Sequence, residues 1–198
     1  AGGSMVIVKD AQIVDVGPRS AHIAGKEYEC FTDAKNLVNP TIQFISPKEG
    51  DSKDHAIVVS ETGQEYSFTL AGAANLLGYV PEGDYAYGHK EANYKAWNAL
   101  GNYCGMTAEE AAQQVIKIAC EKVMTVVNML IDEYELDRNY VTLVGGGGSA
   151  SVLTYALGKI SGHKVQIAKN APYISTIGVA LAMVREQIEK TVVNPTDE

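Results

Sequence analysis

The sequence has little cysteine, no long apolar run and fewer basic than acidic residues. Its 198 residues include three cysteines, which are far apart and form no C-x-x-C pair. That usage disfavours a zinc knuckle or a redox pair and favours a reducing cytoplasm. No stretch approaches the ~18–20 consecutive apolar residues that span a bilayer. The 16 basic and 24 acidic residues give a net charge of −8, which argues against binding to nucleic acid or to an anionic membrane.

The first part of the chain is typical of β-structure. Residues 4–9 are apolar and β-branched and residues 12–16 alternate, which predicts a hairpin. We expect Gly17-Pro18 to end its second strand, because proline cannot donate to a strand ladder. A second hairpin is predicted over residues 55–70, after a polar loop at residues 46–54.

The middle of the chain has a helical pattern. Short helices are predicted at residues 71–77 and 90–100, each followed by a glycine. Residues 107–110 form a capping box, and apolar residues recur behind it at helical spacing as far as residue 135. This pattern predicts one long core helix.

The last third alternates strand and helix. We predict strands at residues 141–144 and 164–168 and helices at residues 149–160 and 174–190. This order predicts a parallel strand pair joined by a helical crossover. Residues 192–198 lack periodicity and are predicted to form a disordered tail.

A run of four glycines is the most informative motif. Gly145, Gly146, Gly147 and Gly148 follow a predicted strand, and Ser149 leads into a helix. A backbone without Cβ atoms can approach a phosphate or a ribose closely, and the first amides of a helix favour an anion. Ser149 is placed to cap the helix and to contact a ligand. A tight turn needs only one or two glycines, so four favour a nucleotide or another phosphate ligand.

The kind of nucleotide stays open at this point. Gly145, Gly147 and Ala150 match the G-x-G-x-x-A pattern of dinucleotide-binding folds. Those folds carry an acidic residue ~20 positions further on, but residues 168–170 read Ala-Lys-Asn. The lysine of a Walker A loop is absent as well.

Two segments near the start are further candidates. Gly2, Gly3 and Ser4 form a small-residue turn before the first strand, unless they are a cloning remnant. Arg19 can bind a carboxylate or a phosphate in bidentate fashion, and His22 can serve as acid, base or ligand. A surface arginine and a hydrogen-bonded loop histidine are the simpler interpretation of that pair.

Other polar residues offer less specific signals. Asp84, His89 and Glu91 lie close in sequence and could ligate a metal, but nothing fixes their geometry. Solvated loop residues are the favoured interpretation, so we assign no metal ligands. Cys30 could be a nucleophile, but its spacing identifies no partner base. The tyrosines at 79, 85, 87, 94 and 103 are predicted to pack.

Several motifs together resemble the hydantoinase A/oxoprolinase family, which includes relatives in acetone and acetophenone carboxylation. The likeness covers nearly the whole chain, and its most specific parts are Val-Gly-Pro-Arg-Ser-Ala and the glycine run. It is carried by Gly2-Gly3-Ser4 and by residues 16–25 (VGPRSAHIAG), 73–78 (AANLLG), 107–112 (TAEEAA), 143–150 (LVGGGGSA) and 170–178 (NAPYISTIG).

This resemblance implies an α/β fold, namely an actin/hexokinase-like (ribonuclease H-like) ATPase half-domain. N-terminal β-hairpins and C-terminal strand–helix repeats would form it, and residues 1–198 would make one domain, the second half of that fold. Two such halves close over ATP and Mg²⁺. Residues 145–149 would then line the adenosine side, and Gly2, Gly3 and Ser4 would also lie on the nucleotide side. Arg19 and His22 would face the phosphates or the substrate.

The same resemblance implies an activity and its partners. Family members use ATP to activate a cyclic amide or a related carbonyl by phosphorylation, and ring-opening hydrolysis or carboxylation follows. They are several times longer than this chain, and their phosphate-gripping Asp-Gly-Gly-Thr motifs are absent here. We therefore expect a C-terminal fragment or a separately made subunit, inactive alone. Its expected partners are the missing N-terminal half, a hydantoinase B-like subunit and a small-molecule substrate.

The substrate and two other classes of protein stay open. Many relatives continue the Val-Gly-Pro segment into Pro-Gly-Pro-Ala-Cys-Tyr-Gly, whereas residues 24–31 here read AGKEYECF. This difference leaves the substrate undefined. One alternative is a non-catalytic, chaperone-like actin-fold ATPase that assembles or reactivates a partner enzyme. The other is a dinucleotide-binding domain.

Overall fold

The computed structural model describes residues 2–182. It opens with a hairpin of β1 (Ser4–Lys9) and β2 (Gln12–Ser20), as predicted. The two-residue turn at Asp10 and Ala11 has positive φ at both positions, which suits the twist of a hairpin. Gly17-Pro18 does not end β2, contrary to the prediction. Residues 17–19 bulge opposite Met5 between the Ser4–Ser20 and Val6–Val16 pairs, on a strand that pairs only with β1.

A six-stranded sheet is built around this hairpin. Its strand order is β2-β1-β5-β6-β3, and β4 pairs with β5. The predicted second hairpin is confirmed as the antiparallel pair of β5 and β6, and the polar loop at residues 46–54 connects β4 to β5. The four further strands of the sheet are β3 (Glu27–Tyr28), β4 (Thr41–Ile45), β5 (His55–Val59) and β6 (Glu65–Ser67).

Three helices cover the sheet. They are α1 (Leu70–Leu76), α2 (Lys90–Cys104) and α3 (Ala108–Glu133). The predicted capping box at the start of α3 is confirmed. Helix α2 passes through Gly101 and ends at Cys104, with Gly105 as its C-cap, one turn later than predicted. The reason is close packing, because a Cβ at Gly101 would lie 2.7 Å from the carbonyl oxygen of Met106.

The C-terminal part contains the predicted strand–helix–strand unit. Strands β7 (Thr142–Gly145) and β8 (Lys164–Ile167) pair in parallel across α4 (Ala150–Ser161). The last described helix is α5 (Ile174–Leu181). The remainder of the helix predicted to reach residue 190, and the tail at residues 192–198, lie outside the described residues.

The core lies between the six-stranded sheet and the first three helices. Trp97 of α2 is fully buried and meets Phe68 edge to face, with ring centroids 5.5 Å apart. Helix α1 is buried over most of its length and contacts both α3 and α4. It therefore joins the sheet to the glycine-rich turn. Among residues 2–182, no helix is long and apolar enough to cross a membrane.

Candidate functional site

Two of the predicted segments meet beside α1. The carbonyl oxygen of Gly2 accepts a hydrogen bond from the amide of Ala71 at 2.8 Å. A Cβ atom at Gly2 would lie 2.4 Å from Oγ and 2.9 Å from Cβ of Ser149. The start of the chain and the glycine-rich turn therefore touch, and the absence of a side chain at Gly2 permits this approach.

The glycine-rich turn is held by its own contacts. Gly147 has a φ of +91°, in the region that favours glycine, and its amide donates to the carbonyl oxygen of Ala171 at 2.8 Å. Gly145 packs against Thr154, whose Oγ1 would lie 2.0 Å from a Cβ there. The predicted position of Ser149 as the N-cap residue of α4 is confirmed, but its side chain does not cap the helix. Ser149 stands at the N-cap with φ −115° and ψ 24°, which is not the extended conformation of a capping residue, and its side chain makes no capping bond.

A carboxylate stands at the start of α4. Oδ1 of Asp84 accepts a hydrogen bond from Oγ of Ser151 at 3.0 Å and another from the amide of Ala86 at 2.9 Å. Ser151 belongs to the first turn of α4 and is buried. The sequence predicted that the positive end of the α4 dipole would attract a ligand anion. In the structure, the carboxylate of Asp84 already lies close to this end of the helix.

The metal interpretation of Asp84, His89 and Glu91 is wrong for the described residues. Asp84 is engaged with α4, His89 is the N-cap residue of α2, and Glu91 forms an ion pair with Lys95 at 3.5 Å. Across residues 2–182, no group of three His, Cys, Asp or Glu side chains is arranged to hold a metal ion. The three residues are close in sequence, but they have different structural roles, and their side chains do not form one cluster.

An aromatic pocket opens beside the glycine-rich turn. The cavity has a volume of about 400 Å³, which is within the range of small-molecule sites. The rings of Tyr28 and Phe31 stack, with centroids 5.2 Å apart and planes 16° from parallel. Tyr85 is 74% exposed, and its ring would lie 3.2 Å from a Cβ at Gly148. The pocket is lined by Tyr28, Phe31, Ala71, Tyr85, Ala86, Tyr87, Gly148 and Ser149.

A second cavity shares a wall with the aromatic pocket. This side pocket has a volume of about 580 Å³ and is lined by His22, Lys26, Glu27, Tyr28 and Phe31. Tyr28 and Phe31 belong to both cavities. Lys26 also forms an ion pair with Glu65 on β6. The side pocket therefore offers charged and titratable groups next to a pocket whose walls are aromatic.

The position of Tyr28 depends on a second glycine. A Cβ atom at Gly3 would lie 2.0 Å from Oη and 2.8 Å from Cζ of Tyr28. Ser4 begins β1 opposite Ser20. Because Gly2 and Gly3 have no side chains, Ser149 can pack closely against Gly2 and Tyr28 against Gly3. Both Ser149 and Tyr28 line the pocket.

Arg19 contacts a loop and lines neither of these two cavities. Its Nε and Nη2 atoms each donate to the carboxylate of Asp51 at 2.8 Å. These hydrogen bonds raise the pKa of Arg19 and lower the pKa of Asp51. The ion pair fastens the loop at residues 46–54 to β2.

A buried acid that the sequence analysis did not single out lies behind the aromatic wall. Glu29 has no exposed surface. Its carboxylate accepts bonds from the Thr69 amide at 3.1 Å, the Thr69 hydroxyl at 3.0 Å and Nε1 of Trp97 at 3.0 Å. Burial raises the pKa of Glu29 to about 7, although these bonds oppose the shift. The sequence signal that could have identified Glu29 is that it is an acidic residue among the apolar residues of the segment Tyr28–Phe31.

Cys30 does not have the surroundings of a nucleophile. The side chain is buried, and burial raises the pKa of its thiol. A thiol that resists ionisation is a poor nucleophile. The suggestion that Cys30 could be a nucleophile is therefore wrong.

Most of the predicted site residues lie in one region, but Arg19 lies apart from it, against the loop that contains Asp51. Gly148 and Ser149 line the aromatic pocket, and His22 lines the side pocket. Gly145, Gly146 and Gly147 form the rest of the turn, with Gly146 beside Ile174. Of the tyrosines predicted to pack, Tyr79 and Tyr87 pack against the core. Tyr85 is exposed and lines the aromatic pocket instead. The ligands of these residues stay predictions.

Comparison with known proteins identifies the family of this mixed α/β chain. The family model described as Hydantoinase/oxoprolinase matches residues 1–188. The chain therefore belongs to the hydantoinase/oxoprolinase family, as its motifs indicated. No curated protein matches the chain.

A solved structure has a similar fold. It is the nucleotide-free structure of an acetone carboxylase, whose acetone carboxylation is described as ATP-dependent. The TM-score is 0.60 at 19% sequence identity, and the similar region covers 91% of this chain and 22% of that one. This chain thus spans about a fifth of the length of that protein.

Proposed function

We propose that this chain is the second half of an actin/hexokinase-like ATPase in a hydantoinase/oxoprolinase-type enzyme. The enzyme would activate a cyclic amide or a related carbonyl by phosphorylation for ring-opening hydrolysis. Family membership supports this proposal. So does the similar fold of an acetone carboxylase, whose acetone carboxylation is described as ATP-dependent.

The observation that carries the proposal is the aromatic pocket beside the glycine-rich turn. Gly148 and Ser149 form one wall, and the rings of Tyr28 and Phe31 belong to the same lining. Aromatic rings stack on the faces of bases, and a backbone without side chains lets a ribose approach closely. The adenosine part of ATP would occupy this pocket.

The phosphates would extend from the aromatic pocket towards the side pocket. His22 and Lys26 there carry nitrogen atoms that can donate hydrogen bonds to phosphate oxygens, and both cavities share Tyr28 and Phe31. Bound ATP would supply the phosphoryl group, while these residues bind and orient it. The described residues include no metal-binding cluster, so we assign no ligand of Mg²⁺ to them.

The remaining machinery would come from outside this chain. One face of the parallel pair β7–β8 is exposed at alternate residues, including Val144 at 62%. Parallel sheets are usually covered on both faces. We propose that the N-terminal half of the same protein, or a hydantoinase B-like subunit, covers this face and supplies further phosphate contacts.

Binding measurements test the nucleotide assignment. Titration calorimetry of the full chain with adenosine, AMP, ATP and NAD should show saturable binding of the first three, with NAD no tighter than AMP. Gly148→Val would place a side chain against Tyr85 and should weaken adenosine binding at least ~10-fold. Gly178→Ala is the control, because no atom of the described part of the chain lies within 4 Å of a Cβ there. Absence of binding by every adenine compound would overturn the assignment.

A second experiment tests the chemistry. The whole protein, with its other half and any partner subunit, should couple ATP hydrolysis to the opening of a hydantoin or 5-oxoproline ring. ATP hydrolysis that is stimulated by a partner enzyme, without turnover of either ring, would favour an assembly or reactivation role instead.

A further inference from the structure

One wall of the aromatic pocket is an irregular segment without regular secondary structure. Residues 84–88 belong to the connection between α1 and α2 and contribute Tyr85, Ala86 and Tyr87 to the lining. Two side chains fasten this segment to helices. Asn75 holds it to α1, and Asp84 ties it to α4.

The attachment to α1 uses the whole amide group of Asn75. Its Nδ2 donates to the carbonyl oxygen of Ala86 at 2.9 Å, and its Oδ1 accepts from the amide of Gly88 at 2.8 Å. The carbonyl oxygen of Ala71 is a second acceptor for Nδ2, at 2.9 Å. This attachment fixes the backbone on the α1 side of the segment.

The attachment to α4 depends on one carboxylate oxygen. Oδ1 of Asp84 accepts from the amide of Ala86 within the segment and from the hydroxyl of Ser151 in α4. Ser151 is 1% exposed, so its hydroxyl would be left without a partner if the acceptor were removed. Tyr85 follows Asp84 in the chain and lies against Gly148. Asp84 therefore fixes the distance between the Tyr85 ring and the glycine-rich turn.

The same carboxylate has an electrostatic effect. It lies at the first turn of α4, where backbone amides and the helix dipole would otherwise favour a phosphate. A second anion brought to this position would be repelled by the first. Among residues 2–182, no lysine, arginine or histidine lines the aromatic pocket to offset that repulsion.

We propose that Asp84 is the positioning and specificity-determining residue of the aromatic pocket. It holds Tyr85 over Gly148 and keeps phosphate away from the start of α4, so that the pocket takes the nucleoside end of a nucleotide. This inference rests on the proposed nucleotide function and deepens it, because it sets the direction in which the ligand lies.

Two substitutions separate the two roles. Asp84→Asn keeps an oxygen that accepts from Ser151 and Ala86 but removes the charge. Adenosine should bind it within about 2-fold of the wild type, and ATP should bind at least ~5-fold more tightly. Asp84→Ala removes the acceptor as well, and adenosine should bind at least ~10-fold more weakly. Glu82→Ala is the control, since Glu82 is exposed in the same connection.

The measurements are calorimetric titrations of each full-length variant with adenosine and with ATP, accompanied by thermal unfolding. Equal adenosine affinity in Asp84→Ala and the wild type would overturn the positioning role. An unchanged ratio of ATP to adenosine affinity in Asp84→Asn would overturn the specificity role. If Asp84→Ala unfolds, the Asp84→Asn ratio still decides the specificity role. Failure of the wild type to bind any adenine compound would instead overturn the proposed nucleotide function, and this inference with it.

Discussion

Gly2 and Ser149 touch at the edge of the aromatic pocket, although they are far apart in the sequence. A Cβ on Gly2 would lie 2.4 Å from the Ser149 hydroxyl oxygen, which is closer than non-bonded atoms approach. The contact is held on the other side by the hydrogen bond between the Gly2 carbonyl and the Ala71 amide. The start of the chain is thus a structural part of the glycine-rich turn.

Substitution of Gly2 by alanine should therefore disturb ligand binding. In Gly2→Ala the new methyl group must displace Ser149, which lines the pocket, and we expect adenosine affinity to fall ~5–10-fold. Calorimetric titration of the full chain measures this change. Gly178→Ala serves again as control, because a helical alanine should be neutral or stabilising by about 0.5–1 kcal/mol. Affinity that is equal in Gly2→Ala and the wild type would show that Ser149 does not depend on Gly2.

Local signals in the sequence predicted most of the secondary structure. The capping box at Thr107 and the hairpin around residues 10–11 are encoded by neighbouring residues, and both are confirmed. The bulge at residues 17–19 was missed, since it depends on how β2 pairs with β1. Helix α2 was predicted too short, because Gly101 is required by tertiary packing and not by a turn.

The candidate site was less predictable, because its contacts join distant parts of the chain. The glycine run indicated a ligand turn, and Gly148 and Ser149 do line a pocket. The meeting of Asp84 with Ser151 spans 67 positions, and that of Glu29 with Trp97 spans 68. Periodicity and spacing carry no information about such pairs. Asp84 was therefore considered for a metal, and Glu29 was not considered.

The capping box makes a simple stability prediction. The hydroxyl of Thr107 accepts from the Glu110 amide at 3.1 Å, and the Glu110 carboxylate accepts from the Thr107 amide at 2.8 Å. Thr107→Ala should lower the free energy of unfolding by about 1 kcal/mol, while Thr107→Ser should keep most of the stabilisation that the cap provides. Urea denaturation followed by Trp97 fluorescence measures both. An alanine variant as stable as the wild type would mean that the first turn of α3 contributes little.

Asn75 should matter for both stability and binding. Asn75→Ala leaves the Gly88 amide and the Ala86 carbonyl without their partner, and both residues are buried. We expect a loss of about 2 kcal/mol of stability and weaker adenosine binding, because the Tyr85 segment is loosened. Asn98→Ala, at an exposed position of α2, is the control. If Asn75→Ala lost stability but bound adenosine normally, the segment would not need this attachment to form the pocket.

Glu29 predicts an unusual dependence of stability on pH. Its pKa is about 7 in the folded protein, against 4.5 for an ordinary glutamate. Between these two pH values the folded chain keeps a proton that the unfolded chain releases, so folding is favoured at the lower pH. The contribution is complete below pH 4.5 and is lost as the pH rises to about 7. At ~1.4 kcal/mol per pKa unit, the loss is about 3 kcal/mol.

Glu29→Gln tests this prediction, because an amide does not titrate. The free energy of unfolding of the variant minus that of the wild type should rise by about 3 kcal/mol between pH 4.5 and 8. Other carboxyl groups titrate alike in both proteins and cancel in the difference. Trp97 donates to Glu29, so its fluorescence reports on the same site during denaturation. Glu49→Gln, at an exposed position, is the control. Parallel pH profiles for Glu29→Gln and the wild type would mean that Glu29 keeps its ordinary pKa in the folded protein, and that Thr69 and Trp97 outweigh the cost of burying its charge.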